Sequence, residues 1–412
     1  MNVKKILKKI GKILFIAFAS IMSVVLLICA VTAVVNSVLI KKTIKYANSF
    51  DTVVYEKDEQ LIPTKDENGY TVFITDEDFK ILQLTDIHLG GGFLSYYKDK
   101  KALNATAAMV TAEKPDLVII TGDMAYPTPQ AMTLNNKNGA KLIINLMEKL
   151  GVYWTVVLGN HDAEAYSYYS REKVGDFYED SNLKYCLFEK GIDTIDGVGN
   201  YVINIKNSKG AITQSLFMLD SHSYTDKDYF GIFWRYDNIK QNQIDWYSDS
   251  VETMTKMNDK VKGLDIANKS YVSSLCFIHI PLGEYLDAYT EYMDNDFKDT
   301  GNVKYIDGKI GEGGRLIYCG INDDEFFESL KGTKAVFCGH DHLNNISLRY
   351  KNVLLNYGMS IDYLAYIGIS KKGEQRGCTV ITSKPNSEIT VVKENYYQDK
   401  YPSKYEKETV EF

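Results

Sequence analysis

Several things are scarce in this chain of 412 residues. The cysteines beyond the N-terminal region (Cys186, Cys276, Cys319, Cys338 and Cys378) are an odd set with no close pairing, which excludes a disulfide framework. No internal repeat or low-complexity segment stands out, so the chain reads as neither a solenoid nor a biased tail. Positive charge is in deficit. The formal net charge is −7, and eight of the lysines flank one apolar stretch near the N-terminus, so the remainder is more acidic still. An acidic body repels phosphate backbones, and no nucleic-acid binding is expected. Histidine is as scarce as cysteine, with six in the chain, so where they fall carries information.

What is present is globular. Hydrophobic residues make up 45% and charged residues 25%, enough for one large domain or two ordinary ones. The 31 tyrosines are many for this length and suit sheet and pocket surfaces. Lys4, Lys5, Lys8, Lys9 and Lys12 precede an almost unbroken apolar stretch, 13–40. About 20 residues span a bilayer core, whereas the apolar region of a secretory signal is only about 7–15 residues long. An uncleaved transmembrane anchor is therefore expected. Bulky Ile28 before Cys29 argues against lipid attachment there. The basic flank places 1–12 in the cytoplasm and the body outside, as a single-pass protein of the cell membrane. Residues 41–75 read as a stalk and first hairpin, 76–394 as the folded body, and 395–412 as a loosely packed charged tail.

From Phe79 onward, short apolar runs alternate with helical patterns, the signature of an α/β layer architecture. The runs are 80–84, 116–120, 153–157, 216–219, 275–278 and 334–337, rich in β-branched and aromatic residues and so expected as buried strands. Amphipathic stretches near 98–113, 139–150, 237–258 and 322–330 are expected as helices. Three further strands, 353–356, 378–382 and 389–392, follow without helices between them.

Five of the runs end in metal-capable residues. They give Asp86-Ile-His88, Gly122-Asp123, Gly159-Asn160-His161-Asp162, His279, and Gly339-His340-Asp341-His342. In an extended backbone alternate side chains share a side, so Asp86 with His88, and His340 with His342, can each face one pocket while Asp341 points away. Each motif alone has an ordinary reading. Asp86-x-His88 could be a loop, Gly122-Asp123 is a common turn, Asn160 and Asp162 are turn formers, and His279 could be a satisfied core histidine. Together, five of the six histidines fall in these clusters, each at the end of an apolar run, where α/β sheets gather their sites.

As a set, these motifs resemble the calcineurin-like metallophosphoesterases over about Phe79 to Tyr357. The stretches Phe277-Ile-His-Ile-Pro-Leu-Gly-Glu-Tyr285 and Leu219-Asp-Ser221 are most similar to the purple-acid-phosphatase-like single-domain phosphatases of plants and fungi. The resemblance implies a sandwich of two mixed β-sheets flanked by helices over 76–394, behind the transmembrane helix. It also implies two transition-metal ions, with Asp86, His88 and His342 on the first, Asn160, His279 and His340 on the second, and Asp123 bridging them. Mixed imidazole and carboxylate donors suit Mn, Fe, Zn or Ni better than Ca or Mg.

The implied reaction is hydrolysis of a phosphate monoester by a hydroxide shared between the metals. His161 would protonate or stabilise the leaving oxygen, oriented by Asp162. Tyr126 has the Asp-x-x-Tyr spacing whose tyrosine ligates ferric iron in true purple acid phosphatases. Those enzymes lack the histidine that His88 supplies here, so Tyr126 is expected outside the coordination shell.

On the substrate side, His222 follows a strand and would either line the pocket or lie at the surface. Tyr285 opens an insertion running to Gly314 that would serve as a lid or as surface decoration. Two alternatives remain. One is a phosphodiesterase acting on nucleotides or lipid headgroups. The other is a non-catalytic, metal-stabilised binding module, which the intact ligand set argues against.

Overall fold

The chain begins in one long helix, α1 (Val3–Ala47), long and apolar enough to cross a membrane. The computed structural model describes residues 3–55, 60–261, 271–322, 324–366, 369 and 376–408. Most of the apolar half of α1 is exposed, but Asn36, Thr43 and Ala47 are buried against the body, and Ile40 and Ile44 pack on its core. This three-to-four spacing turns one helical face inward. Residues 41–47, expected as the start of a stalk, are therefore packed helix. A hairpin of β1 (Thr64–Lys65) and β2 (Thr71–Ile74) follows, its turn held by Asp66 Oδ1, which accepts from the backbone of Asn68 and Tyr70.

Next come β3 (Phe79–Leu84), α2 (Tyr96–Glu113), β4 (Leu117–Thr121), α3 (Asn136–Leu150), β5 (Trp154–Val157) and α4 (Arg171–Tyr178). Then follow β6 (Tyr201–Lys206), β7 (Ile212–Met218), α5 (Gln241–Asn258), β8 (Ser274–Phe277), α6 (Gly283–Asp294) and β9 (Val303–Asp307). The chain closes with β10 (Thr333–Cys338), β11 (Ser347–Tyr350), β12 (Val353–Tyr357), β13 (Gly377–Ser383) and β14 (Ile389–Asn395).

These strands form two mixed sheets, as expected. The larger has the order β1-β2-β6-β7-β8-β10-β12-β11-β9 and the smaller β14-β13-β3-β4-β5. Parallel pairing runs through β3, β4 and β5 in one sheet and through β7, β8, β10 and β12 in the other. Every residue of β4 and of β8 is buried, as in strands covered on both faces. Alternation then divides the side chains. Leu275, Phe277, Ala335 and Phe337 face the core shared with the smaller sheet, while Cys276, Val336 and Cys338 face a second core that includes residues of α5 and α6. Phe277 and Phe337 stack across neighbouring strands at 5.1 Å.

Two further expectations change. The helix near 322–330 is a single tight turn, Phe327–Ser329, because buried Phe326 and Phe327 anchor it after only a few residues. The tail beyond β14 is not loose over its described part. Tyr396 and Tyr401 are buried, and Tyr396 accepts a 2.8 Å hydrogen bond from Asn104 of α2.

Candidate metal centre

The parallel strands β3, β4, β5, β8 and β10 all deliver polar residues at their C-terminal ends. There the backbone takes conformations that side-chain-bearing residues rarely adopt. Asp86, His88, Asp123 and His340 have φ of 50°, 52°, 54° and 80°, and such strain persists only where the surroundings enforce it. Two glycines show how crowded the turn is. A Cβ on Gly122 would lie 2.2 Å from His279 Nδ1, and one on Gly159 would lie 2.1 Å from Asp123 Oδ1.

Seven side chains converge. Asp123 Oδ2 lies 3.3 Å from His88 Nε2 and 3.2 Å from His279 Nε2. His342 Nε2 lies 3.5 Å from Asp86 Oδ1. Asn160 Oδ1 is 3.1 Å from His279 Nε2, while its amide nitrogen donates to Tyr224 at 3.1 Å, which turns the oxygen inward. Two groups could each hold a metal ion: Asp86, His88, Asp123 and His342, and Asp123, His279 and His340. Asp123 belongs to both. The halves are also tied by backbone, since His340 N–H donates to Asp86 Oδ2 at 3.1 Å.

The electrostatics are those of a cluster with carboxylate to spare. Burial would raise Asp123, but positive His279 and His161 outweigh it and hold the carboxyl well below its usual range. Burial lowers His279, yet Asp123 and Asp86 more than compensate and push it up to about 9. His340 is held well below the usual value by burial and by His279, so it is a neutral imidazole. These are the surroundings that a cation would complete.

Two residues essential to this geometry escaped the sequence reading. Asp362, fully buried, sets its Oδ1 3.4 Å from His88 Nδ1 and its Oδ2 3.7 Å from His342 Nδ1, backing both histidines of one half. Glu164 Oε1 lies 2.5 Å from His161 Nδ1. This corrects the role expected of Asp162, whose carboxylate instead accepts backbone N–H bonds from Asp123, Ala125 and Gly159 at 3.0, 2.8 and 2.8 Å. Asp162 welds two loops together, and Glu164 orients His161. Asp341 points away from the cluster and braces its loop by accepting from Tyr357 OH at 2.6 Å.

Above the cluster opens a cavity of about 400 Å³ lined by His161, His340 and His342 and by Tyr126, Tyr166, Tyr224, Tyr236, Tyr318 and Tyr366. Part of the chain's tyrosine surplus is spent here. Tyr126 stacks on the His88 ring at 4.8 Å and meets His161 edge-on at 4.9 Å.

Neither expected substrate residue lines this cavity. His222 is bonded to Gln243 at 2.8 Å and faces a separate cavity of about 790 Å³ beside Arg171 and Lys240. Tyr285 is buried under the outer face of the larger sheet, its hydroxyl donating to Val336 O at 2.8 Å. The Ile280-Pro281-Leu282 turn carries it away from His279 and into α6. The insertion 285–314 holds most of α6 and all of β9 rather than an unstructured lid, and from it Glu312 reaches the cavity wall.

The chain is similar to several known proteins. The "Probable inactive purple acid phosphatase 29" of Arabidopsis thaliana is 27% identical over 341 residues, 78% of this chain and 80% of that one. The "Probable inactive purple acid phosphatase 14" of the same plant is 26% identical over 71% of this chain and 73% of its own. "Phosphatase DCR2" of Saccharomyces cerevisiae is 31% identical over 67% of this chain, which spans 46% of that protein. A dimetal phosphatase structure from Danio rerio aligns over 77% of this chain and 99% of its own, at 12% identity and a TM-score of 0.43. The family described as calcineurin-like phosphoesterase matches residues 79–344, a span that takes in all seven converging side chains, and the chain belongs to that family.

Proposed function

We propose that the protein is a membrane-anchored, metal-dependent phosphomonoesterase. The carrying observation is that two histidine groups converge on one carboxylate, with contacts of 3.3 Å and 3.2 Å to Asp123 Oδ2. Donors bound at roughly 2.0–2.2 Å to one ion sit about 3 Å apart at neighbouring coordination positions, so the spacing supports a metal fit. Asp86, His88 and His342 would hold one ion, Asn160, His279 and His340 a second, and Asp123 would lie between them. The mixed donor set suits Mn, Fe, Zn or Ni. When bound, such a pair supplies activated water at neutral pH and positive charge for the phosphoryl oxygens.

The chain's own residues do the rest. Burial lowers the proton affinity of His161, but Asp123 and Glu164 raise it by more, which favours a proton on its imidazole. With Nδ1 fixed by Glu164, Nε2 is left to give that proton to the departing ester oxygen. Arg171 clamps the carbonyls of Leu158 and Gly159 at 2.8 Å each and keeps Asn160 in place. The aromatic walls narrow access and exclude bulk water. Two relatives carry the word inactive in their names, whereas the complete donor set and the His161–Glu164 pair here support activity.

The test is hydrolysis of p-nitrophenyl phosphate against its bis-ester by the Mn-loaded full chain. Faster turnover of the monoester is expected. Faster turnover of the diester would make the enzyme a phosphodiesterase, and turnover of neither would refute the reading.

Anchoring by α1 is supported by its burial pattern. Asn36 within the apolar stretch and Thr43 and Ala47 just beyond it are buried against the body, so the helix that would cross the membrane continues without a break into the folded unit. The five lysines before the span put the N-terminus in the cytoplasm and the body outside the cell. Protease added to intact cells should then remove the body, and protection would reverse the orientation.

A further inference from the structure

The direction of α1 relative to the sheets fixes which end of the domain meets the membrane. Asn36 Nδ2 donates to Met132 O at 2.8 Å, just before α3 begins at Asn136. Twelve residues on, Asn48 reaches Asn145 at 3.2 Å, and Thr52 reaches Lys149 O at 3.2 Å, near the end of α3. The packed part of α1 therefore runs alongside α3 in the same direction. The N-terminus of α3 follows the loop from the C-terminal end of β4, where Asp123 sits. Continued backward from Asn36, α1 projects from the metal-bearing end of the domain, not from the opposite one.

The membrane boundary falls at the same place. Residues 13–35 rise about 1.5 Å each and cover roughly 35 Å, against a hydrocarbon core of about 30 Å. Asn36 is thus at the water interface, with exposed Lys41, Lys42 and Lys45 just beyond it at headgroup level. Apolar side chains ring that level. Phe93 and Leu94 are 52% and 53% exposed, on the loop that follows His88. Gly92 lies against Ala131, next to the Met132 carbonyl that Asn36 contacts.

A second apolar loop, 229–234, leaves β7 on the same edge, since β7 runs parallel to β8, whose end carries His279. Phe230, Ile232, Phe233 and Trp234 are 58%, 67%, 64% and 55% exposed, and Phe230 and Trp234 also line the metal cavity. Aromatic side chains at this density suit the membrane–water interface.

We propose that the metal-bearing end faces the bilayer, with the 229–234 and 93–94 loops dipping into its surface, and that the substrate is a phosphate monoester of a membrane lipid. This rests on the phosphomonoesterase reading above. In the reaction a water oxygen bonds to phosphorus and the phosphorus–oxygen bond to the lipid breaks. His161 passes its proton to the lipid oxygen, leaving a neutral lipid alcohol and inorganic phosphate.

The experiment uses the full chain in phosphatidylcholine vesicles, with phosphatidate as the lipid ester and p-nitrophenyl phosphate as the soluble one. Wild type should hydrolyse both. An Ile232→Asp, Phe233→Asp double variant, whose positions do not line the cavity, should lose about tenfold or more on phosphatidate and stay within about twofold on the soluble ester. Turnover of the soluble ester with none of phosphatidate, or equal loss on both, would overturn the proposal. Turnover of neither ester would instead refute the phosphoesterase reading. A separate arm tests the orientation alone. Brominated phosphatidylcholine should quench a fluorescence component that disappears in Trp234→Phe, and absence of that quenching would rule out membrane contact.

Discussion

In one half His88 and His342 lean on a buried carboxylate, whereas in the other Asn160, His279 and His340 lean on hydroxyl, backbone and ring groups. In the first half, both histidines have Asp362 behind Nδ1. In the second, His279 Nδ1 lies 2.8 Å from the Thr121 carbonyl, Asn160 donates to Tyr224, and neutral His340 packs edge-on against Tyr236 at 4.3 Å. A carboxylate behind an imidazole makes it a stronger donor and fixes its ring. The first half also has Asp86 in addition to the shared Asp123. The comparison teaches that the two halves should bind metal unequally, the carboxylate-backed half more tightly and the neutral half more exchangeably.

The largest expected effect comes from removing what the halves share. Asp123→Ala should take hydrolysis to background and bound metal to one ion or none, measured by turnover and elemental analysis. Full activity in that variant would end the two-metal account. Next is His161→Ala, which should keep both metals and lose about 10²–10³ in kcat, most with poor leaving groups. Equal loss for good and poor leaving groups would argue against proton donation.

Asp362→Asn should act on one half alone. Metal titration of the apo protein should give two affinities, and this change should weaken the tighter one by about 10–100-fold. Equal weakening of both sites would erase the proposed asymmetry. A smaller, pH-dependent effect belongs to Glu164→Gln. Activity that needs protonated His161 falls as pH rises through the raised pKa of that residue, so removing the Glu164 charge should move the alkaline limb of kcat to lower pH. An unmoved limb would detach Glu164 from the proton donor. Smallest is Tyr285→Phe, which should cost about 1 kcal/mol of stability through the lost Val336 hydrogen bond and leave kcat alone.

The converging side chains were legible because each is marked locally, by an apolar strand followed at once by Asp, Asn or His and often by Gly. Asp362 and Glu164 carry no such mark. Asp362 reaches His88 across 274 positions of chain, through the isolated pairing of Ser360 with Thr85, and it stands four residues past Gly358 with no histidine beside it. Asp162 was misassigned because it adjoins His161, yet its carboxylate turns back to three amides while Glu164, one 3₁₀ turn on, reaches the ring. β9 was hidden because most of its residues are exposed, and α6 because it buries Tyr285 and Ala288 alone. Tyr285 followed His279 closely in sequence, but it lies on the other face of the sheet. Adjacency in sequence predicts function poorly wherever a tight turn intervenes.

The most direct measurement is electron paramagnetic resonance of the Mn-loaded full chain. A carboxylate shared by two ions predicts an exchange-coupled pair in the wild type that is lost in Asp123→Ala. Two uncoupled manganese signals in the wild type, or coupling that survives Asp123→Ala, would contradict a dinuclear centre built around Asp123.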